Sequence, residues 1–203
     1  MTADSLSHCT FLIKSWLPNH QEIGELITDE VKKLMRCQLT WSKGWPARAT
    51  QDHKMCRMGD RGVTYSHKGK SKPIHPWTKT VLSVAAHVAS KVDNDLSWMP
   101  NCCVVNTYGP GGDLHPHRDS EYIPQLGDRP TIASVSFGVA RTFLLYPLDE
   151  NGKRTKFAHE ILLEPGDLFV MHGECDEKYH HAIKPELVEG VRLSLTFRKH
   201  LDV

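Results

Sequence analysis

The apolar residues of this chain follow two different periods. Between Asn19 and Met35, the residues Ile23, Leu26, Ile27, Val31, Leu34 and Met35 recur at helical spacing, which places them on one stripe of a helix. Asn19, with Glu22 three positions on, resembles a capping box, whose side chains satisfy amides left free in the first turn. A second helix is predicted from Pro76 to about Val92, with Pro at its start and Val81, Ala85, Val88 and Val92 on one face. Between the helices lies an irregular stretch broken by glycines and prolines. From residue 101 the period shortens. Cys102–Tyr108, Thr131–Gly138, Arg141–Tyr146, Glu160–Leu163, Asp167–Met171 and Val191–Arg198 are short β-prone runs bounded by Gly, Pro, Asp and Asn. The run EILLEPGDLFVM reads as a hairpin turning at Pro165-Gly166-Asp167. Helices followed by several short strands predict a mainly β fold of the α+β kind, a sandwich or jelly roll buttressed by helices.

Composition narrows the class. At 203 residues the chain suits one domain with a sizeable core. No apolar run is long enough to span a bilayer, and MTADSLSHCTFLIKSWLP lacks the basic and apolar blocks of a secretory signal. The six cysteines form no CxxC pair. If Cys102 and Cys103 lie on a strand, they point to opposite faces. Free thiols in a reducing, intracellular compartment (cytoplasm or nucleus), no membrane and no zinc site are therefore expected. The net charge of +1 conceals an asymmetry: residues 41–80 carry nine Lys/Arg against two acids, a local +7. A basic, Trp-containing segment ahead of an acidic remainder points to a polyanion partner, although a solvated basic loop has the same composition.

The sharpest chemical feature is His117-Arg118-Asp119, just after the turn YGPGGD. Residues i and i+2 of an extended strand share a face, so an imidazole and a carboxylate can approach one ion. His180-His181 precedes the last strand and offers a third ligand. Two imidazoles and a carboxylate leave the opposite positions of a metal open, as non-haem iron(II) needs for a chelating cosubstrate and dioxygen. With thirteen histidines present, HxD alone is weak. The final strand, VRLSLTFRKH, strengthens it. Arg192, Ser194, Thr196 and Arg198 share one face, and Leu193, Leu195 and Phe197 the other. The arginines are separated by roughly 20 Å of strand, yet long side chains folding toward one another can bracket a small dicarboxylate through forked hydrogen bonds.

Taken in order, GDRGVTYSHKG, NTYGPGGDLHPHRDSE, RPTIASVSFGVARTF, LEPGDLFVMHG, YHHAIKP and RLSLTFR resemble the AlkB family of nucleic-acid dealkylases across about residues 56–199. The resemblance implies a double-stranded β-helix (jelly roll) carrying Fe(II), with 2-oxoglutarate as cosubstrate and O2 as oxidant. It implies one catalytic domain over residues 1–203: helical support and a nucleotide-recognition lid in 1–100, and the β-helix core in 101–203. His117 and Asp119 match the family's HxD. Counting forward from Gly173 on the commoner spacing makes His181 the third ligand; the spacing of the shortest bacterial members would make it His180. His115 has no acid two residues on, so it is expected to line the pocket or face solvent, and His172 to be structural. Arg192 matches the residue on the distal carboxylate of 2-oxoglutarate, assisted by Ser194 and Tyr108, with Arg198 and Asn106 nearer the chelating carboxylate. Glu121 matches the acid that contacts the damaged base.

The implied activity is oxidative demethylation of N-alkylated bases, such as 1-methyladenine or 3-methylcytosine, in DNA or RNA, releasing formaldehyde, succinate and CO2. A duplex base must leave the stack to reach such a metal. Lys43, Arg48, Lys54, Arg57, Lys68, Lys70 and Lys72 are candidates for phosphates, and Trp41, Trp45 and Tyr65 for stacking or wedging. His67 stands where a relative often presents an aromatic ring, which leaves the substrate preference open. Two other classes remain: the same chemistry on a protein side chain or small molecule, and a silent nucleic-acid-binding module. A monomer is expected.

Overall fold

The computed structural model describes residues 6–38, 42–43, 53–67, 69–92, 98–121 and 123–201. Its elements in chain order are β1 (Thr10–Ile13), α1 (His20–Gln38), β2 (Ser42–Lys43), β3 (His53–Gly59), β4 (Ser66–His67), β5 (Lys70–Ser71), β6 (His75–Pro76), α2 (Lys79–Val92), β7 (Cys102–Tyr108), β8 (Leu114–His117), β9 (Ile132–Gly138), β10 (Arg141–Pro147), β11 (His159–Leu163), β12 (Leu168–Met171), α3 (Cys175–Lys178), β13 (Tyr179–Ile183) and β14 (Arg192–Arg198). Two sheets form a jelly roll. The major sheet runs β1-β12-β9-β14-β7-β3-β2, with β6 beside β3; the minor sheet runs β11-β10-β13-β8. The first hundred residues thus add strands to the major sheet as well as helices. No described helix is long and apolar enough to cross a membrane.

Alternation along the central strands decides what each face does. Leu193, Leu195 and Phe197 of β14 pack with Ile27 and Val31 of α1 and with Val81, Val84, Ala85 and Val88 of α2. Leu195 and Phe197 are fully buried, a contribution of about 1.5–3 kcal/mol each relative to exposure. The other face of the major sheet carries Tyr108, Ile132, Phe169 and Met171, which meet Phe143, Leu145, Tyr179 and Ile183 of the minor sheet. Cys103 joins the helix-side core while Cys102 joins Tyr65, Val104, Ile123 and Leu126, so the two thiols do take opposite faces.

Two expectations need correction. The second helix starts at Lys79 and not Pro76, because His75-Pro76 is drawn into β6 by parallel pairing with Met58 and Gly59 of β3. Thr78 then caps it, its Oγ1 accepting from Val81 N at 3.4 Å, while Glu30 of α1 accepts from Thr80 N at 3.3 Å. The run EILLEPGDLFVM is not a hairpin. β11 pairs with β10 in the minor sheet, whereas β12 lies between β1 and β9 in the major sheet. The turn is fastened elsewhere: Gly166 N donates to Ser136 O at 2.8 Å, Ser136 N to Asp167 O at 3.1 Å, and Asp167 accepts from Ser15 N at 3.0 Å. These bonds hand the chain from one sheet to the other.

Gly138 ends β9 at a φ of +79°, where an added Cβ would strike the carbonyl of Val191. Replacing it with alanine forces a left-handed residue, which alone costs about 1–2 kcal/mol. Gly138→Ala is expected to lower the unfolding free energy from urea denaturation by at least that much and to loosen β14 at Arg192, its register partner.

Candidate metal centre

β8 and β13 are antiparallel neighbours with His117 opposite His181, so a cross-strand pair brings the two imidazoles to a centroid distance of 4.3 Å. Asp119 is not placed by strand alternation. β8 stops at His117, and Asp119 lies in the turn that follows. There its main-chain N–H donates to Asp176 at 2.9 Å, and that of Ser120 does so at 3.0 Å. Asp119 Oδ1 comes within 3.4 Å of His117 Nε2 and 3.8 Å of His181 Nε2. Its Oδ2 accepts from Arg198 Nε at 2.6 Å. One ligand atom from each of His117, Asp119 and His181 lies within 4.8 Å of the other two.

Two of the three groups already have the protonation a cation needs. Burial alone would favour a neutral Asp119, but the adjacent Arg198 guanidinium and His117 outweigh it and hold the carboxyl well below the usual range. Burial, with His117 next to it, pushes His181 down to about 3, so its ring is neutral at working pH. His117 Nδ1 lies 2.8 Å from the carbonyl of His115. A carbonyl only accepts, so Nδ1 carries a proton; against burial, the contact of Nε2 with Asp119 raises the His117 pKa, and a metal taking Nε2 would displace the proton held there. Two imidazoles and one carboxylate, converging and largely withdrawn from water, are a donor set that fits iron(II).

His180 behaves differently from its neighbour. It projects to the other side of β13, with Nε2 3.4 Å from Glu121 Oε1. His181→Ala is therefore expected to abolish stoichiometric iron binding, and His180→Ala to retain it, on metal analysis of protein reconstituted with Fe(II).

Beyond the cluster, the same face of the major sheet is polar where a sandwich interior is usually apolar. Asn106, Ser194 and Ser136 stand in register across β7, β14 and β9, all buried. Arg192 is 1% exposed. It donates to Ser136 Oγ at 3.0 Å, lies 5.5 Å from the centre of the Tyr108 ring, and its Nε has no hydrogen-bond partner among the described residues. Burial pulls the guanidinium pKa down to about 10 and raises the Tyr108 phenol to about 12. Both therefore remain donors at neutral pH. A buried cation short of acceptors is an unfavourable arrangement that a bound carboxylate relieves, and this is the feature that fits 2-oxoglutarate. Arg198, six residues along, is committed to Asp119 at the metal end.

The expected substrate contacts are distributed unevenly. Tyr65 is only 6% exposed, with the Arg57 guanidinium 4.8 Å from its ring centre on β3 and His200 5.5 Å away. Arg57 is buried because Cys56 and Met58 face the helix-side core, which turns Arg57 to the opposite face, where Val104 is its register partner. Tyr65 is thus packed in a buried cluster with Cys102, Val104 and Ile123 and is no open stacking platform, and Arg57 is buried beside it, not extended into solvent for a phosphate. Glu121 is tied to Arg118 Nη2 at 2.7 Å. Lys54 and Lys70 are exposed and Lys72 is half-buried. His115 is exposed, and His172 packs 6.1 Å from Phe11. Trp41, Trp45, Arg48 and Lys68, and the side chains of Lys43 and His67, lie outside the described residues.

Sequence reasoning missed Asp176, Ser136, His200 and Arg141. Arg141 is fully buried and fastens the turn before β8, donating to Gly109 O at 3.3 Å, to Lys184 O at 2.8 Å and to Gly112 O. A charge inside the apolar run RTFLLYP was the available signal for it. Asp176 and His200 carry no local signal, since their partners are distant in sequence.

Comparison with known proteins agrees with this geometry. The model of the 2OG-Fe(II) oxygenase superfamily matches residues 10–198. A mouse (Mus musculus) protein, DNA oxidative demethylase ALKBH2, is 31% identical over 153 residues, covering 73% of this chain and 62% of that protein. The alpha-ketoglutarate-dependent dioxygenase AlkB of Salmonella typhimurium is 34% identical over 132 residues, covering 61% of this chain and 57% of that protein. The chain spans less than two-thirds of each of these relatives. The solved structure of OsALKBH1 has a TM-score of 0.57 at 20% identity, covering 94% of this chain and 97% of that one. A Pseudomonas putida prolyl-4-hydroxylase reaches 0.54 at 15% identity, covering 97% and 96% respectively. These two structures share the fold.

Proposed function

The chain belongs to the 2OG-Fe(II) oxygenase superfamily, as a member of the AlkB type, and on that premise we propose that it removes methyl groups oxidatively from ring nitrogens of nucleic-acid bases. The observation that carries the reading is the pairing of one metal cluster, His117, Asp119 and His181, with a buried, under-partnered Arg192 on β14, the strand whose Arg198 bonds Asp119.

In this reading His117 and His181 offer imidazole lone pairs and Asp119 the negative charge. Arg198 holds the second oxygen of Asp119, which leaves the first facing the imidazoles. Arg192, Tyr108 and Ser194 hold the distal carboxylate of 2-oxoglutarate, and Asn106, in register with Ser194, is assigned with Arg198 to the chelating end. When bound, Fe(II) with 2-oxoglutarate and O2 supplies an oxidant that inserts one oxygen atom into a C–H bond, the cosubstrate leaving as succinate and CO2. An N-methyl group then becomes N–CH2OH, which breaks down to formaldehyde and the restored N–H. In this reading the buried cluster of Tyr65, Cys102, Val104 and Ile123 backs the substrate side.

The substrate class rests on three supports: the name of the mouse relative, the basic segment 41–80, and Glu121. Despite partial burial, Arg118 and then His180 hold the Glu121 carboxyl below its ordinary range. It is thus an ionised acceptor, suited to the exocyclic amino group of 1-methyladenine or 3-methylcytosine. DNA is the first expectation, from the relative's name, and RNA is the second arm of the test. Formaldehyde and succinate release with Fe(II) and 2-oxoglutarate is expected to rise when a methylated oligonucleotide is added, with an affinity that falls steeply as salt increases. Turnover that neither DNA nor RNA oligonucleotides stimulate would move the substrate to a protein side chain or small molecule.

A further inference from the structure

We propose that Asp176 is a positioning residue for the metal centre, fixing the turn that aims Asp119 at the two histidines; this rests on the iron reading above. Asp119 lies beyond the end of β8, so no sheet ladder dictates its direction. Ile123 N–H donates to Asp119 O at 3.0 Å on one side of the turn, and on the other a single carboxylate takes both of its amides. Oδ1 of Asp176 accepts from the N–H of Asp119 at 2.9 Å and Oδ2 from the N–H of Ser120 at 3.0 Å. Asp176 is 1% exposed, so water does not replace it when it is removed, and both amides would be left without partners. Arg118 is pinned to the same short helix, its Nη1 donating to Glu177 O at 3.3 Å.

The helix that carries Asp176 is itself anchored. Cys175 is completely buried, its thiol hydrogen-bonded to that of Cys9 beside β1, and its N–H donates to His172 O at 3.1 Å. The chain then passes straight into β13, which delivers His181. One segment therefore presents one ligand and orients another. With the Asp176 bonds gone, Ile123 N–H would still hold the Asp119 carbonyl, but the carboxylate would be left to Arg198, which acts on Oδ2 and does not fix Oδ1 toward His117 and His181.

The test is Mn(II) titration of the full, metal-free chain without cosubstrate, reading free Mn(II) by electron paramagnetic resonance, for wild type, Asp176→Ala, Asp176→Asn and His117→Ala. Loss of an outer partner of a metal ligand typically weakens metal binding by about 10–100-fold, and that rise in Kd is expected for Asp176→Ala. Asp176→Asn keeps an acceptor for only one of the two amides and should fall between. A role confined to fold stability would lower the thermal midpoint but leave the Kd of the folded protein at the wild-type value, and that result overturns the proposal. If Asp176→Ala does not fold, a wild-type Kd in Asp176→Asn overturns it equally. Failure of wild type to bind Mn(II), or undiminished binding by His117→Ala, sinks the metal centre itself and the proposal with it. A silent Asp176 series beside a His117→Ala loss sinks only the role of Asp176.

Discussion

Replacing Asp119 with alanine is expected to abolish iron binding and turnover, and to destabilise the metal-free protein as well. Asp119 is the only negative ligand of the cluster, and both imidazoles reach it through Nε2. It is also the partner of Arg198, whose guanidinium is 7% exposed and bonded to it at 2.6 Å. Removing one member of a buried ion pair leaves the other charged and unpaired, at a cost of about 3–5 kcal/mol. Chemical denaturation of the metal-free variant should show a loss of that order. Loss of activity with unchanged stability would mean that the Arg198–Asp119 pair is not the buried, committed interaction described above.

Replacing Arg192 with leucine should give the opposite combination. Truncating one partner of a buried hydrogen-bonded charge pair costs about 2–5 kcal/mol of binding, which is a factor of about 30 to several thousand. The KM for 2-oxoglutarate is expected to rise within that range, with Fe(II) binding retained. Metal-free stability should hold or increase, because leucine replaces a guanidinium that lacks a full set of acceptors. Steady-state kinetics at varied 2-oxoglutarate, alongside thermal unfolding, separates these outcomes. A variant with wild-type KM would remove Arg192 from the cosubstrate site.

Much of this arrangement was legible in the sequence because it rests on local periodicity. The alternation RLSLTFR put Leu193, Leu195 and Phe197 on one face, which the structure packs against the helices, and the strand CCVVNTY separated Cys102 from Cys103. The order of motifs was specific enough to identify the family. What periodicity could not supply was partnership across the sheets. LEPGDLF looks like a hairpin turn because Pro-Gly-Asp does turn the chain, but only the bonds from Gly166 and Asp167 to β9 and the N-terminal segment reveal that it changes sheets. The i, i+2 argument for His117 and Asp119 gave a sound pairing for an incomplete reason. The strand ends at His117, and a carboxylate far along the chain fixes the turn. Likewise Arg57 and Tyr65, candidates for phosphate contact and stacking, are buried, β3 turning Arg57 away from the helices toward Val104 and the Tyr65 ring.

The most direct test of the account is an anaerobic titration of the metal-free chain with Fe(II) and then 2-oxoglutarate, followed by the visible charge-transfer absorption of a 2-oxo acid chelated to Fe(II). The expected result is a band that saturates at equimolar metal and cosubstrate, is lost in Asp119→Ala, and requires far more 2-oxoglutarate in Arg192→Leu. A wild-type chain that gives no band, or a band that Asp119→Ala leaves unchanged, contradicts it.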